Sequence, residues 1–281
     1  MEIITDIAAM QTRCLAARDA GQRIAFVPTM GYLHDGHATL LREGCRRGDL
    51  LVLSIFVNPT QFGPHEDLDR YPRDFARDEA VARASGVDLL FYPTAAAIYP
   101  PGYSTYVNVD GPLTTTLEGA CRPGHFRGVA TVVAKLLLIV QPQLALFGCK
   151  DFQQLAVIRQ MSADLNLPVE IAGLPTVREA DGLALSSRNV YLSAAEREQA
   201  LVLSRALAAA RQLVGAGNRN SDAILTQLRG MIETQPAARI DYLQICHQTT
   251  LQEQAQVDRD SVLLLAVFIG KTRLIDNSML L

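Results

Sequence analysis

Over residues 1–175, short apolar runs alternate with stretches of helical spacing. Ile24–Val27 is an apolar run that reads as a strand stopping at Pro28. His37–Arg47 reads as a helix, with a glycine-rich turn between the two. Asp49–Val57 is almost continuously apolar and closes at Asn58-Pro59. A strand apolar on both faces suits the interior of a parallel sheet. Leu68–Ser85 is polar and helical, and Val87–Tyr92 follows as another buried strand. Gly128–Val140 predicts a buried helix, Leu144–Phe147 a strand, Asp151–Asp164 a helix with Asp151 near its N-cap, and Val169–Gly173 a further strand. This β-α-β-α order predicts an α/β fold, a doubly wound parallel sheet.

After Pro175 the texture changes. Ser193–Val214 reads as one long helix opened by a capping box, with Ser193 as N-cap and Glu196 three residues on. A GAGNRNSD loop, a helix over Asp222–Thr234 and strands at Ile240–Cys246, Ser261–Phe268 and Thr272–Asp276 complete the chain. Strands so close together leave no room for crossover helices, which predicts a second, smaller α+β domain. The expected boundary lies near Pro175, giving domains 1–175 and 176–281.

Composition narrows the classes. With 49% apolar and 20% charged residues the chain is globular rather than disordered. A net charge of -3 leaves no basic footprint for nucleic acid, so a small anionic substrate needs local positive groups. The most apolar windows, Gly128–Val140 and Val262–Ile269, are too short to span a membrane, and the N-terminus lacks the basic segment of a secretion signal. Five scattered cysteines without a CxxC pair point to a reducing cytoplasm. Four of them read as small buried hydrophobes. Cys149 stands apart because its neighbours carry chemistry.

Five segments hold that chemistry. Pro28–His37 (PTMGYLHDGH) joins the first strand to the first helix. In an open α/β sheet, ligands bind beyond the carboxyl ends of the strands, where helix N-termini present free N–H groups. His34 and His37, three apart, can share a face and donate to phosphate oxygens; their spacing equally fits surface or capping residues. No third ligand has compelling spacing for zinc, and the loop is neither GxGxxG nor a Walker P-loop. Phe56–Phe62 carries Gln61, whose amide can donate to a carboxylate and accept from a hydroxyl. Glu118–Gly128 (EGACRPGHFRG) reads as a rigid turn whose arginines pair with Glu118 or a partner subunit, ahead of an anion site. Phe147–Gln154 places Lys150 at a helix start, adding its charge to the helix dipole. Asp181–Asn189 offers Ser186, Ser187 and Arg188 as a phosphate clamp at a domain junction, where a lid is expected. His34, His37 and Lys150 thus read as positive groups at two helix starts.

Together, PTMGYLHDGH, FVNPTQF, EGACRPGHFRGV, FGCKDFQQ and DGLALSSRN resemble, in order and over essentially the whole chain, the pantoate–β-alanine ligases (pantothenate synthetases). The resemblance implies a Rossmann-like nucleotidyltransferase domain of the HIGH-type superfamily with a smaller C-terminal domain, in a homodimer. It implies that ATP, with Mg2+, and pantoate form a pantoyl adenylate with release of pyrophosphate, and that β-alanine then yields pantothenate and AMP. By the same resemblance Met30, Gly31, Tyr32, Leu33, His34, Asp35, Gly36 and His37 line the ATP site, with His37 the catalytic histidine, His34 its phosphate-binding neighbour and Lys150 a third catalytic group. Gly148, Cys149 (through its N–H), Lys150, Asp151, Leu185, Ser186, Ser187 and Arg188 also hold ATP, and Val177 meets the nucleotide through its backbone. Gln61 and Gln154 bind pantoate, and Gln61 lies near β-alanine. The alternatives are another HxGH-type nucleotidyltransferase, which the glutamine pair and SSRN segment oppose, and a nucleotide-binding module without turnover, which the retained histidines, Lys150 and Ser-Ser-Arg clamp oppose.

Overall fold

The computed structural model describes residues 1–64 and 66–281. Six strands, β1 (Glu2–Ile4), β2 (Ile24–Thr29), β3 (Leu50–Ile55), β4 (Leu89–Phe91), β5 (Leu144–Gly148) and β6 (Glu170–Leu174), form one sheet in the order β1-β4-β3-β2-β5-β6, and every pairing is parallel. Helices α1 (Ile7–Asp19), α2 (Asp35–Arg47), α3 (Phe75–Ala84), the single turns α4 (Ala95–Ile98), α5 (Pro112–Thr115) and α6 (Glu118–Cys121), and the longer α7 (His125–Val140) and α8 (Phe152–Asp164) surround it. The two faces of the sheet bury separate apolar clusters, one under α1, α7 and α8 and one under α2 and α3. Beyond β6 come α9 (Ala194–Ala200), α10 (Val202–Gly215) and α11 (Ser221–Glu233), and an antiparallel sheet of β7 (Ala238–His247), β8 (Ser261–Ile269) and β9 (Thr272–Met279). These elements enclose their own core around Leu203, Leu207, Ile224, Leu263 and Leu265. The structure is therefore the expected α/β sheet with a smaller α+β unit behind it.

Chain order makes β2 the switch point: the chain leaves it for β3 on one side and reaches β5 on the other. Strands β2 and β5 pair only at Ala25–Leu144 and Phe26–Ala145, so their carboxyl ends part and a crevice opens. Pro28 lies inside β2, where the sequence predicts a stop. Thr29 turns its carbonyl to the Phe56 N–H on the β3 side (2.9 Å), so the missing Pro28 N–H faces the other way, beyond the last β5 pair.

Three further expectations are corrected. The N-terminal β1 and α1 were not anticipated, because α1 buries only the narrow stripe Met10, Cys14 and Ala17. The single helix over Leu68–Ser85 is a 3-10 turn at Leu68–Arg70 and then α3, since Pro72 forbids continuation and Asp74 caps a new start, accepting from the Arg77 N–H at 3.1 Å. The long helix from Ser193 divides at Leu201 into α9 and α10. Its capping box is present, with Glu196 Oε2 accepting from the Ser193 N–H at 2.9 Å.

Candidate active site at the parted strands

A cavity of about 220 Å³ fills the crevice. One wall is the loop from β2 to α2. Gly31 (φ +85°) and Tyr32 (φ +51°) turn the chain sharply, and a Cβ at Gly31 would stand 2.9 Å from Asp78 Oδ2. Asp78, 2% exposed, braces the turn by accepting from the N–H groups of Tyr32 (2.8 Å) and Leu33 (2.6 Å). Nothing in the sequence marks this carboxylate, which lies 46 residues from the loop it holds.

His34 is the N-cap of α2. Its Nδ1 accepts from the Gly36 N–H at 3.2 Å, and His37 Nδ1 accepts from the His34 N–H at 3.2 Å, so the two imidazoles form a reciprocal cap. With both Nδ1 atoms accepting, each neutral ring carries its proton on Nε2, the N–H it can offer the cavity it lines. Burial, then the charge of Lys150, lowers His34 to about 4; burial, then His34 and Lys150, lowers His37 to about 3. The histidines are thus neutral hydrogen-bond donors, which corrects their reading as positive groups. The surface-or-capping alternative holds in part: they cap, and they also line the crevice.

The opposite wall is cationic. The turn Cys149–Asp151 brings Lys150 into the cavity, with Nζ 4.0 Å from Asp151 Oδ1. Asn277 on β9 holds that turn, donating from Nδ2 to the carbonyls of Cys149 (2.9 Å) and Lys150 (2.8 Å). Arg188 reaches the same space but is engaged by Asp67, Nε–Oδ2 at 2.9 Å and Nη2–Oδ1 at 2.8 Å. Burial pushes the Asp67 carboxyl up, yet Arg188 pulls it below its ordinary value. Ser186 caps its own turn, accepting from the Arg188 N–H at 3.3 Å.

Gln61, 8% exposed, forms the floor with one amide orientation. Asn58 Oδ1 accepts from the Thr60 N–H (3.3 Å) and Tyr99 hydroxyl (2.8 Å), so Asn58 Nδ2 must donate, and it does so to Gln61 Oε1 at 3.0 Å. Gln61 Nε2 is left as a donor whose partner, Met30 Sδ at 3.2 Å, is a weak acceptor. Asn58 was missed because an NP dipeptide reads as a turn and nothing more. Val129, Val132, Val133 and Leu136 of α7 supply an apolar side to the same cavity. The two adjacent glutamines of α8 separate. Gln153 spends its amide on Glu118 N–H and on the carbonyls of Leu113 and Thr116, whereas Gln154 lines the cavity.

The structure therefore gathers Met30, His34, Gly36, His37, Gln61, Gly148, Lys150, Asp151, Gln154, Val177, Leu185, Ser186, Ser187 and Arg188 around one space. Gly31, Tyr32, Leu33, Asp35 and Cys149 do not line it. Leu33 is buried in the core, Asp35 faces outward, Gly31 and Tyr32 shape the turn, and the Cys149 thiol lies toward Gly173. A second cavity of about 870 Å³ beside the C-terminal sheet shares Lys150, Asp151, Gln154, Ser186 and Arg188 with the first. In the EGACRPGHFRG segment, Arg122 pairs with Glu66 at 2.6 Å and lies 3.6 Å from Glu118, as the rigid-turn reading expects.

The sequence profile of the family described as pantoate-beta-alanine ligase matches residues 2–279. A pantothenate synthetase of Syntrophotalea carbinolica is 63% identical over 281 residues, covering 100% of this chain and 99% of the relative. Among solved structures, pantothenate synthetase from Thermus thermophilus superposes with a TM-score of 0.95 at 48% identity, covering 100% and 99% of the two chains. Pantoate-beta-alanine ligase from Francisella tularensis, complexed with beta-gamma ATP and beta-alanine, does so at 0.82 and 33% identity, covering 99% and 97%. Profile, relatives and superposition span the same elements that build the crevice, and the chain belongs to the pantoate-beta-alanine ligase family.

Proposed function

We propose that the chain carries out the ATP-dependent ligation of pantoate with β-alanine through an enzyme-bound pantoyl adenylate. The observation that carries this reading is the crevice itself: two neutral imidazole donors on one wall, Lys150 on the other, and a glutamine amide locked as a donor on the floor. The pantoate carboxylate oxygen attacks the α-phosphorus as the bond to the β-phosphate oxygen breaks, and pyrophosphate leaves. The β-alanine nitrogen then attacks the acyl carbon, the bond to AMP breaks, and the nitrogen gives up a proton. Negative charge gathers on phosphoryl oxygens in the first step, and fixed donors there favour the transition state over the ground state.

In this reading His34 and His37 donate from Nε2 to phosphoryl oxygens, and Lys150, Ser186, Ser187 and Arg188 take the β- and γ-phosphates. Gln61 and Gln154 hold the pantoate carboxylate and hydroxyls while its two methyl groups meet Val129, Val132, Val133 and Leu136. Gln61 also lies near β-alanine. Magnesium enters with the nucleotide, held chiefly by its phosphates. The domain boundary is placed after Pro175, with residues 176–281 as the lid: β6 ends at Leu174, and Leu183 already belongs to the second core. The homodimer follows from the family resemblance. A cytoplasmic location fits a sequence with five unpaired cysteines.

Pantoate with α- or γ-labelled ATP, without β-alanine, decides the chemistry. The expected products are pyrophosphate and an acyl adenylate that hydroxylamine traps. Orthophosphate from the γ-position with accumulating ADP overturns the reading.

A further inference from the structure

Behind the crevice, a chain of charged and polar groups runs from the C-terminal sheet to the back of Gln61. Arg273 on β9 donates from Nη1 to Glu118 Oε2 at 2.9 Å, and its Nη2 stands 2.8 Å from Glu118 Oε1 as an ion pair outside hydrogen-bond angles. Glu118, 6% exposed, lies 3.6 Å from Arg122 Nη1. That same Nη1 stands 3.1 Å from His125 Nε2, and His125 Nδ1 is 2.8 Å from the Gln61 carbonyl oxygen. A carbonyl only accepts, so His125 carries its proton on Nδ1 and receives Arg122 on Nε2. Burial, then Arg122, lowers its pKa to about 4, so the ring stays neutral and both bonds persist at neutral pH.

Buried ions cost more than apolar packing unless geometry is what they supply. Here the geometry converges on one main-chain oxygen, that of the residue whose side-chain amide Asn58 orients. Strand β9 thereby reaches both sides of the crevice: Asn277 holds the Lys150 turn, and Arg273 begins the chain that ends at Gln61.

We propose that Arg273, Glu118, Arg122 and His125 are positioning residues, a relay through which the C-terminal sheet sets Gln61 against pantoate. The relay rests on the assignment of Gln61 to pantoate. The second unit then governs the acyl substrate as well as the nucleotide, and its displacement is felt at both.

The test is a steady-state cycle on the full chain with Arg273→Gln, Gln61→Ala and the double variant, alongside His125→Asn and His125→Gln. Arg273→Gln is expected to raise KM for pantoate about tenfold, with KM for ATP within about twofold, and to add nothing further in the Gln61→Ala background. His125→Asn, whose amide nitrogen stands near the Nδ1 position, keeps pantoate KM close to that of the parent, whereas His125→Gln raises it. Equal rises for ATP and pantoate, a rise that persists undiminished in Gln61→Ala, or no rise in a folded Arg273→Gln overturn the relay. Should Arg273→Gln not fold, the two His125 variants decide alone, and equal losses in both overturn it. Gln61→Ala without a pantoate-specific loss overturns the assignment of Gln61 and the relay with it; such a loss beside an unaffected Arg273→Gln overturns the relay only.

Discussion

At the start of α2, two imidazoles are neutral, half-buried and tied to backbone N–H groups, so their donors stand in place before any ligand arrives. Across the crevice, Lys150 and Arg188 carry full charges, and Arg188 is already engaged by Asp67. The first wall offers orientation without charge, and the second offers charge that a ligand must win from a carboxylate. A site that transfers a phosphoryl-linked group needs both: preset donors where charge develops, and cations that take up the departing pyrophosphate.

The contrast breaks most visibly in turnover. His37→Ala and Lys150→Ala are each expected to slow adenylate formation by about 10²–10³, read as pantoate-dependent pyrophosphate release. If orientation is what the α2 wall supplies, His37→Lys fails as badly as His37→Ala. A His37→Lys enzyme near parental rate would make both walls cationic and end the comparison.

Next in size is the floor. Gln61→Ala should weaken pantoate by roughly 1–3 kcal/mol while leaving ATP nearly unchanged. Asn58→Asp acts the same way, because a carboxylate cannot donate to Gln61 Oε1 and the amide loses its fixed orientation. Equal losses for both substrates would reduce these two residues to loop supports.

Smaller still is the effect of Asp67→Asn. An exchange that releases Arg188 should lower KM for ATP by at most about fivefold, since partly exposed ion pairs contribute roughly 0.2–1 kcal/mol. A rise in KM would show that Asp67 holds Arg188 ready rather than competing for it.

The last prediction concerns pH. His34 and His37 titrate at about 4 and about 3 when folded, below the ordinary 6.5. Between those values the unfolded chain binds protons that the folded chain refuses, so this stability is complete above pH 6.5 and is lost as pH falls toward 4 and 3. Nitrogen NMR should show both rings neutral, with the proton on Nε2, at pH 5. An imidazolium signal from His37 at pH 6 would place charge on the wrong wall.

Much of the parallel sheet was legible because buried strands such as Leu50–Ile55 announce themselves by continuous apolarity. So was the site's location, because polar segments recurred where strands gave way to helices. What could not be read was anything settled by a distant partner. The sign of the histidines depends on burial and on Lys150, which lies over a hundred residues away in sequence. The orientation of Gln61 depends on Tyr99 and Thr60 acting through Asn58. Pro28 was misread for the same reason, since the side of a strand that goes unpaired is decided by its neighbours.

A single close approach sets the spacing between α7 and the loop that carries Gln61. Gly128 in the first turn of α7 lies so near the loop bearing Gln61 that a Cβ there would fall 2.4 Å from the Thr60 carbonyl oxygen. Helix and loop are thus spaced by main chain against main chain, so side-chain rotation cannot draw α7 away from the loop that carries Gln61. Under the proposed placement of pantoate, with its methyl groups against the valines of α7, an acid carrying an ethyl group in place of one methyl is expected to bind more weakly.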